Sequence, residues 1–182
     1  MSPSDLLEML EGAIPRGPGV WLELGAGDGA FTRALVELLG PSGKVYAVDR
    51  DRRALAALER WGSGQATRVI PMVADFSDSL ELPVIEEPAL DGLLCANALH
   101  FVRDAELVLA RRAFRLRPGG RVVLVEYDRR RKDPWVPYPV PIARLPALAA
   151  AAGLTTFVVT DARPSTYGGR LYVAVALRPH AA

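Results

Sequence analysis

A chain of 182 residues, 50% hydrophobic and 24% charged, is long enough to bury one core and too apolar for a disordered polymer. Its formal net charge of +1 excludes a molecule that holds nucleic acid by bulk charge, and its single cysteine, Cys95, excludes an intrachain disulfide framework. No apolar run approaches the ~18 residues of a membrane span, and no charged-then-apolar leader opens the chain, so a cytoplasmic protein is expected.

Two hydrophobic periods alternate along the sequence, which points to a βαβ protein. Leu6, Met9, Leu10 and Ala13 share one face of a helix within residues 1–15, with Ser4 as its expected N-cap. Pro15, Gly17, Pro18 and Gly19 break the chain before a first strand, Val20 to Leu24. A glycine-rich turn leads into a helix marked by Phe31, Ala34, Leu35 and Leu38 and closed by Gly40-Pro41. Strand two, Lys44 to Val48, ends at Asp49, and a helix from Arg52 to Trp61 stops at Gly62-Ser63-Gly64. Strand three, Thr67 to Val73, contains Pro71, which suits only a sheet edge or a bulge. Strand four is Leu90 to Ala96. A helix from Asp104 to Leu116 is expected to turn Leu107, Ala110 and Phe114 inward, and Arg117-Pro118-Gly119-Gly120 turns the chain into strand five, Arg121 to Tyr127. Residues 128–141 are proline-rich and irregular, and a helix ends in Ala149 to Ala152 with Gly153 as its cap. The last strands, Leu154 to Thr160 and Arg170 to Leu177, are too close in sequence for a parallel crossover, so they should pair antiparallel. Residues 178–182 read as a tail, and the whole as one domain.

The stretch Glu23-Leu24-Gly25-Ala26-Gly27-Asp28-Gly29-Ala30 carries the most information. An apolar strand ends in glycines that let a backbone approach a ligand, and a helix then begins with free N–H groups and a positive dipole end. Read as G-x-G-x-x-A, it fits a dinucleotide; read as E-x-G-x-G-x-G, it fits a methyltransferase. A pyrophosphate gains nothing from Glu23, whereas a sulfonium cofactor with an ammonium group does. Asp49, about 20 residues beyond Gly29, can accept both hydroxyls of a ribose under either reading. The antiparallel ending is foreign to dinucleotide domains.

With Ala74-Asp75-Phe76, Asp91-Gly92-Leu93-Leu94-Cys95-Ala96-Asn97-Ala98-Leu99-His100-Phe101 and Leu116-Arg117-Pro118-Gly119-Gly120-Arg121 in this order, the sequence resembles the class I S-adenosylmethionine-dependent methyltransferases from Val20 to Leu177. The resemblance implies an α/β fold: a doubly wound, seven-stranded, mostly parallel Rossmann-like sheet with an antiparallel C-terminal pair. It implies S-adenosylmethionine as cofactor and S-adenosylhomocysteine as product. It assigns the amino-acid end of the cofactor to Glu23 and the backbone of Gly25, Ala26 and Gly27, and the ribose to Asp49 with Arg50 along the adenine. Asp75 accepts from the adenine amino group, Phe76 packs near the ring, and Asn97 lies near the methionine moiety. A helix cap and a core aromatic remain the plainer reading of Asp75 and Phe76.

Ligands of open α/β sheets bind beyond the carboxyl ends of the strands, so the loops after strands four, five and six should border the site. His100 is the one candidate general base there, and it can equally cap or pack against the next helix. Tyr127, Trp135, Tyr138 and Tyr167 are expected to wall an acceptor pocket, with Arg163 in the same loops. The run Arg129, Arg130, Arg131, Lys132 favours an anionic acceptor or is merely a solvated surface. Cys95 reads as core, His180 as tail, and no Cys/His cluster calls for a metal. The expected reaction is methyl transfer to an O, N, S or C nucleophile of a small molecule. An NAD(P)-dependent oxidoreductase, a non-catalytic cofactor-binding partner subunit and a nucleic-acid methylase stand as rivals.

Overall fold

The computed structural model describes residues 1–77, 90–129, 131–167 and 169–180. Its elements run α1 (Pro3–Glu11), β1 (Val20–Leu24), α2 (Ala30–Leu39), β2 (Lys44–Asp49), α3 (Arg52–Gly62), β3 (Arg68–Val73), β4 (Leu90–Ala96), α4 (Ala105–Ala113), β5 (Leu116–Tyr127), α5 (Leu145–Ala152), β6 (Val158–Pro164) and β7 (Arg170–Leu177). Single 3-10 turns lie at Leu99–Phe101 and Ile142–Arg144. The seven strands form one sheet in the order β3-β2-β1-β4-β5-β7-β6, in which β7 alone runs antiparallel to its neighbours. The antiparallel ending and the edge position of Pro71, opposite Ala47, are as the sequence requires.

Both faces of the sheet are covered, so its central strands are apolar on both sides. Leu22, Leu24, Leu93, Cys95, Val122 and Leu124 pack with Leu109 of α4 and Leu148 of α5. The alternate residues Trp21, Val45, Leu94, Val123 and Val125 pack with Met9 of α1, Leu35 of α2 and Leu55 of α3. No helix among the described residues is long and apolar enough to cross a membrane.

The structure departs from the sequence expectations in α1, α4, β5 and β6. The N-cap of α1 is Ser2, not Ser4: Asp5 donates its N–H to the Ser2 hydroxyl at 3.2 Å, and its carboxylate accepts the Ser2 N–H at 2.8 Å, so Pro3 falls in the first turn. In α4 the buried stripe is Ala105, Val108, Leu109, Arg112 and Ala113, while Leu107 and Phe114 are exposed. The stripe is hidden in the sequence because it contains Arg112, which is buried and donates to the Phe76 carbonyl at 3.0 Å. Strand β5 already begins at Leu116, opposite Leu90, bulges through Arg117–Gly120 and resumes with Arg121 opposite Gly92. Strand β6 lies four residues further on than expected and carries Asp161 and Arg163 within it. Arg163 bonds Asp161 and, at 3.0 Å, Glu8 of α1, so it does not reach the candidate site.

Candidate active site

The turn after β1 is tied to the end of β2. Gly25 and Ala26 both donate to the Val48 carbonyl, at 2.8 and 3.0 Å, and Gly27 donates to Asp49 Oδ2 at 2.8 Å. Those N–H groups are therefore engaged inside the protein. What the turn offers a ligand is proximity. Gly25 has φ +77°, and a Cβ there would stand 2.4 Å from that of Ala98, so only glycine lets β1 and the chain after β4 approach so closely.

Asp49 is half-buried, with Oδ1 accepting the Asp51 N–H at 2.8 Å and Oδ2 held by Gly27. Each oxygen keeps a second lone pair, so the carboxylate is oriented and can still accept two hydroxyls. Asp75 is exposed, and its Oδ1 takes both the hydroxyl and the N–H of Ser77, at 2.7 and 2.9 Å. The Ser77 hydrogen bonds hold its carboxyl below the usual range. Asp49, Arg50, Asp75, Phe76 and Asn97 line a cavity of about 650 Å³ with Gly25 and Gly27. Tyr138 borders this cavity instead of the aromatic one, and the Arg103 guanidinium lies 5.8 Å from its ring.

Glu23 does not line the cavity. It is 1% exposed, between β1 and α2, and its Oε2 accepts the Thr32 hydroxyl at 2.6 Å. Burial pushes its carboxyl up to about 8. An acid whose folded value lies above its unfolded value of 4.5 stabilises the fold fully at low pH. That contribution fades as pH rises towards about 8. The ligand-free wild type is therefore expected to lose more thermal stability between about pH 5 and pH 8.5 than Glu23→Gln, which keeps the Thr32 bond and cannot ionise. Equal losses in thermal melts of the two proteins contradict this.

A second cavity, of about 570 Å³, adjoins the first through Asn97 and Phe101. Tyr127, Trp135, Val136 and Tyr167 wall it, and His100 borders it. The Tyr127 and Tyr167 rings meet edge to face at 6.4 Å, and His100 lies 6.1 Å from Tyr127. The described residues 131–141 form a strap along this cavity, with Asp133, Trp135 and Val136 in its lining. It is pinned where Tyr138 N–H donates to the His100 carbonyl at 2.9 Å and the Tyr172 hydroxyl donates to the Val140 carbonyl at 2.7 Å. Of the basic run, Arg129 lines the cavity and is paired with Asp133 at 2.7 Å. Arg131 and Lys132 are exposed, and Arg130 lies outside the described residues.

The feature that sequence reasoning missed is Glu126. It is fully buried at the end of β5, and its Oε2 lies 2.6 Å from His100 Nδ1 while Oε1 accepts the His100 N–H at 3.2 Å. The signal was present: an acidic residue follows the buried run Val122-Val123-Leu124-Val125, and a buried carboxylate needs a partner. With Nδ1–H donating to the carboxylate, the network assigns the free lone pair to Nε2.

Residues 22–122, more than half of the chain, match the family model described as a methyltransferase domain. The chain belongs to this family. The methyltransferase is 30% identical over 93 residues to ribosomal RNA small subunit methyltransferase H of Shewanella pealeana, covering 49% of this chain and 28% of that protein. The chain thus spans less than a third of the length of the curated relatives it matches. Its fold is that of the CurJ carbon methyltransferase, with TM-score 0.72 and 20% identity, covering 94% of this chain and 51% of the other. It is also that of Haemonchus contortus phospholethanolamine N-methyltransferase 2, seen with S-adenosylhomocysteine, with TM-score 0.74 and 16% identity, covering 97% and 53%. The first cavity fits S-adenosylmethionine: it presents an oriented carboxylate at Asp49 for the ribose and a glycine at the point of closest approach.

Proposed function

We propose that this methyltransferase methylates a carbon acid, a small molecule whose reactive C–H is flanked by carbonyl groups, with His100 as general base. The observation that carries this reading is the buried His100–Glu126 pair on the wall of an aromatic cavity next to the Asp49 cavity. An amine or thiolate brings its own lone pair and gains little from a base, whereas a C–H must lose its proton before its carbon can attack. His100 Nε2 takes that proton, and Glu126 stabilises the imidazolium and fixes its tautomer, as a carboxylate does behind a catalytic histidine. Bound in the first cavity, S-adenosylmethionine would supply an electrophilic methyl group on a sulfonium, with the neutral thioether as leaving group. Asp49 would hold the ribose hydroxyls, Arg50, Asp75 and Phe76 would border the adenine, and the Gly25–Gly27 turn would receive the methionine end.

Tyr127, Trp135 and Tyr167 hold a flat, conjugated acceptor by stacking. Burial pushes the Tyr127 phenol up, so it stays a neutral hydroxyl. The Arg129–Asp133 pair leaves this wall without net charge, which favours a neutral acceptor over an anionic one. A carbon methyltransferase of the same fold, CurJ, supports the choice of atom. The test is incubation with S-adenosylmethionine and a panel of acyclic β-keto esters, phenols, amines and thiols, read by mass spectrometry. C-methylated dicarbonyl is expected, with its loss in His100→Ala. Methylation of amines or thiols alone, indifferent to His100, refutes the reading.

A further inference from the structure

We infer a separate ligand site at the end of the sheet where β1 and β4 begin: an oxyanion cavity formed by Arg16, Arg117 and Arg121, which takes inorganic phosphate or the phosphate of a small monoester. It is independent of the cofactor and acceptor proposed above, whose cavities lie beyond the carboxyl ends of the strands.

The cavity measures about 170 Å³ and is lined by the link between α1 and β1, by Asp91 of β4 and by the bulge of β5. The bulge creates it. Two steps along β4, Leu90 to Gly92, face five along β5, Leu116 to Arg121, so three extra residues are folded out of the ladder. Gly120 permits the fold, because a Cβ there would stand 2.8 Å from the Arg117 carbonyl oxygen. Arg117 and Arg121, which a regular strand would hold about 13 Å apart, line one cavity instead.

Charge is unbalanced in this lining. Its one carboxylate is Asp91, and both oxygens are engaged: Oδ2 accepts the Val20 N–H at 2.7 Å, and Oδ1 accepts from Arg117 Nε. That pair leaves the two terminal nitrogens of Arg117 without an acceptor among the described residues, and its side chain is 56% exposed, so they are accessible. Arg121 donates from Nη1 to the Ala13 carbonyl at 2.9 Å and has no carboxylate partner among the described residues. Burial, and then the charge of Arg117, pull its guanidinium below the usual value. Arg16 is paired only with Glu11, an exposed contact of the weakly held kind. Three guanidiniums against one lining carboxylate leave two positive charges in excess. Their spare N–H donors suit a tetrahedral oxyanion, and the cavity is well below the ~300 Å³ at which sites for larger ligands begin. An anion bridging Arg16 to the arginines of β5 also fastens the α1 link to the sheet, so binding reads out as stability.

The test is calorimetric binding of orthophosphate and of glycerol 3-phosphate to the whole chain, with thermal melts in each against chloride at matched ionic strength. The proteins are wild type, Arg117→Gln, Arg121→Gln, which keeps a donor for the Ala13 carbonyl, and Arg60→Gln, which removes the same charge from the last turn of α3. Wild type and Arg60→Gln are expected to bind phosphate at one site and to melt higher in it than in chloride. Arg117→Gln and Arg121→Gln should each bind about tenfold more weakly or worse, the loss of one charged hydrogen bond. Should Arg121→Gln fail to fold, the exposed Arg117→Gln decides. Binding of orthophosphate alone marks a free-ion site, and binding of both ligands marks a site for monoesters; either supports the inference. Absence of binding to wild type overturns it. So does equal stabilisation of all four proteins, which is the general effect of an excluded salt.

Discussion

Replacing His100 with alanine is expected to lower kcat by about 10²- to 10⁴-fold while leaving donor affinity within about twofold. The imidazole borders the aromatic cavity and does not line the Asp49 cavity, so on the proposed reading its loss removes proton transfer without touching Asp49. Glu126→Gln should fall between the two, because an amide can still accept from Nδ1–H yet cannot balance an imidazolium. The double variant should be no slower than His100→Ala alone, since the two residues act as one unit and their effects do not add. Added imidazole should restore part of the activity to His100→Ala. Steady-state kinetics on a C-methylated acceptor checks all four statements. Additive losses, or no rescue with an intact fold, would reduce the pair to a structural role. Glu126 is fully buried, so each variant's circular dichroism and melting temperature must be compared with wild type before rates are read.

Asp49→Ala is expected to weaken donor and product binding together by about 100-fold or more. On the proposed reading the carboxylate would make two charged hydrogen bonds to ribose hydroxyls, each worth about 1.5–3 kcal/mol, and its loss also releases Gly27 and Asp51, whose N–H groups it holds. Asp49→Asn should retain more affinity, because one amide oxygen can still accept. The loss should be equal for S-adenosylmethionine and S-adenosylhomocysteine, which share the ribose. Calorimetry on folded variants checks this, and unchanged affinity for either ligand would contradict it.

Much of the fold is legible because its signals are local. The Gly25 turn, the terminal acid of β2, Pro71 on the edge strand and the short link between β6 and β7 each dictate one conformational choice regardless of distant contacts. The failures are equally physical. The buried stripe of α4 is hidden in the sequence because it includes the charged Arg112, whose guanidinium reaches the Phe76 carbonyl. Asp161 and Arg163 resemble loop residues, but at a sheet edge their side chains can pair with each other and with Glu8. The 26 positions between His100 and Glu126 hide their partnership, which exists only because β4 and β5 are parallel neighbours whose ends meet. Tyr138 follows the same pattern: the strap returns to the chain after β4 and delivers it to the neighbouring cavity.

The measurement that bears most directly on the central claim is calorimetric titration of wild type and Asp49→Ala with S-adenosylhomocysteine, NAD and NADP. The expected result is one site for S-adenosylhomocysteine on the wild type, lost in Asp49→Ala, and no heat from either dinucleotide. Binding of NAD or NADP in place of the adenosyl ligand would contradict the claim and return the glycine turn and Asp49 to a dinucleotide.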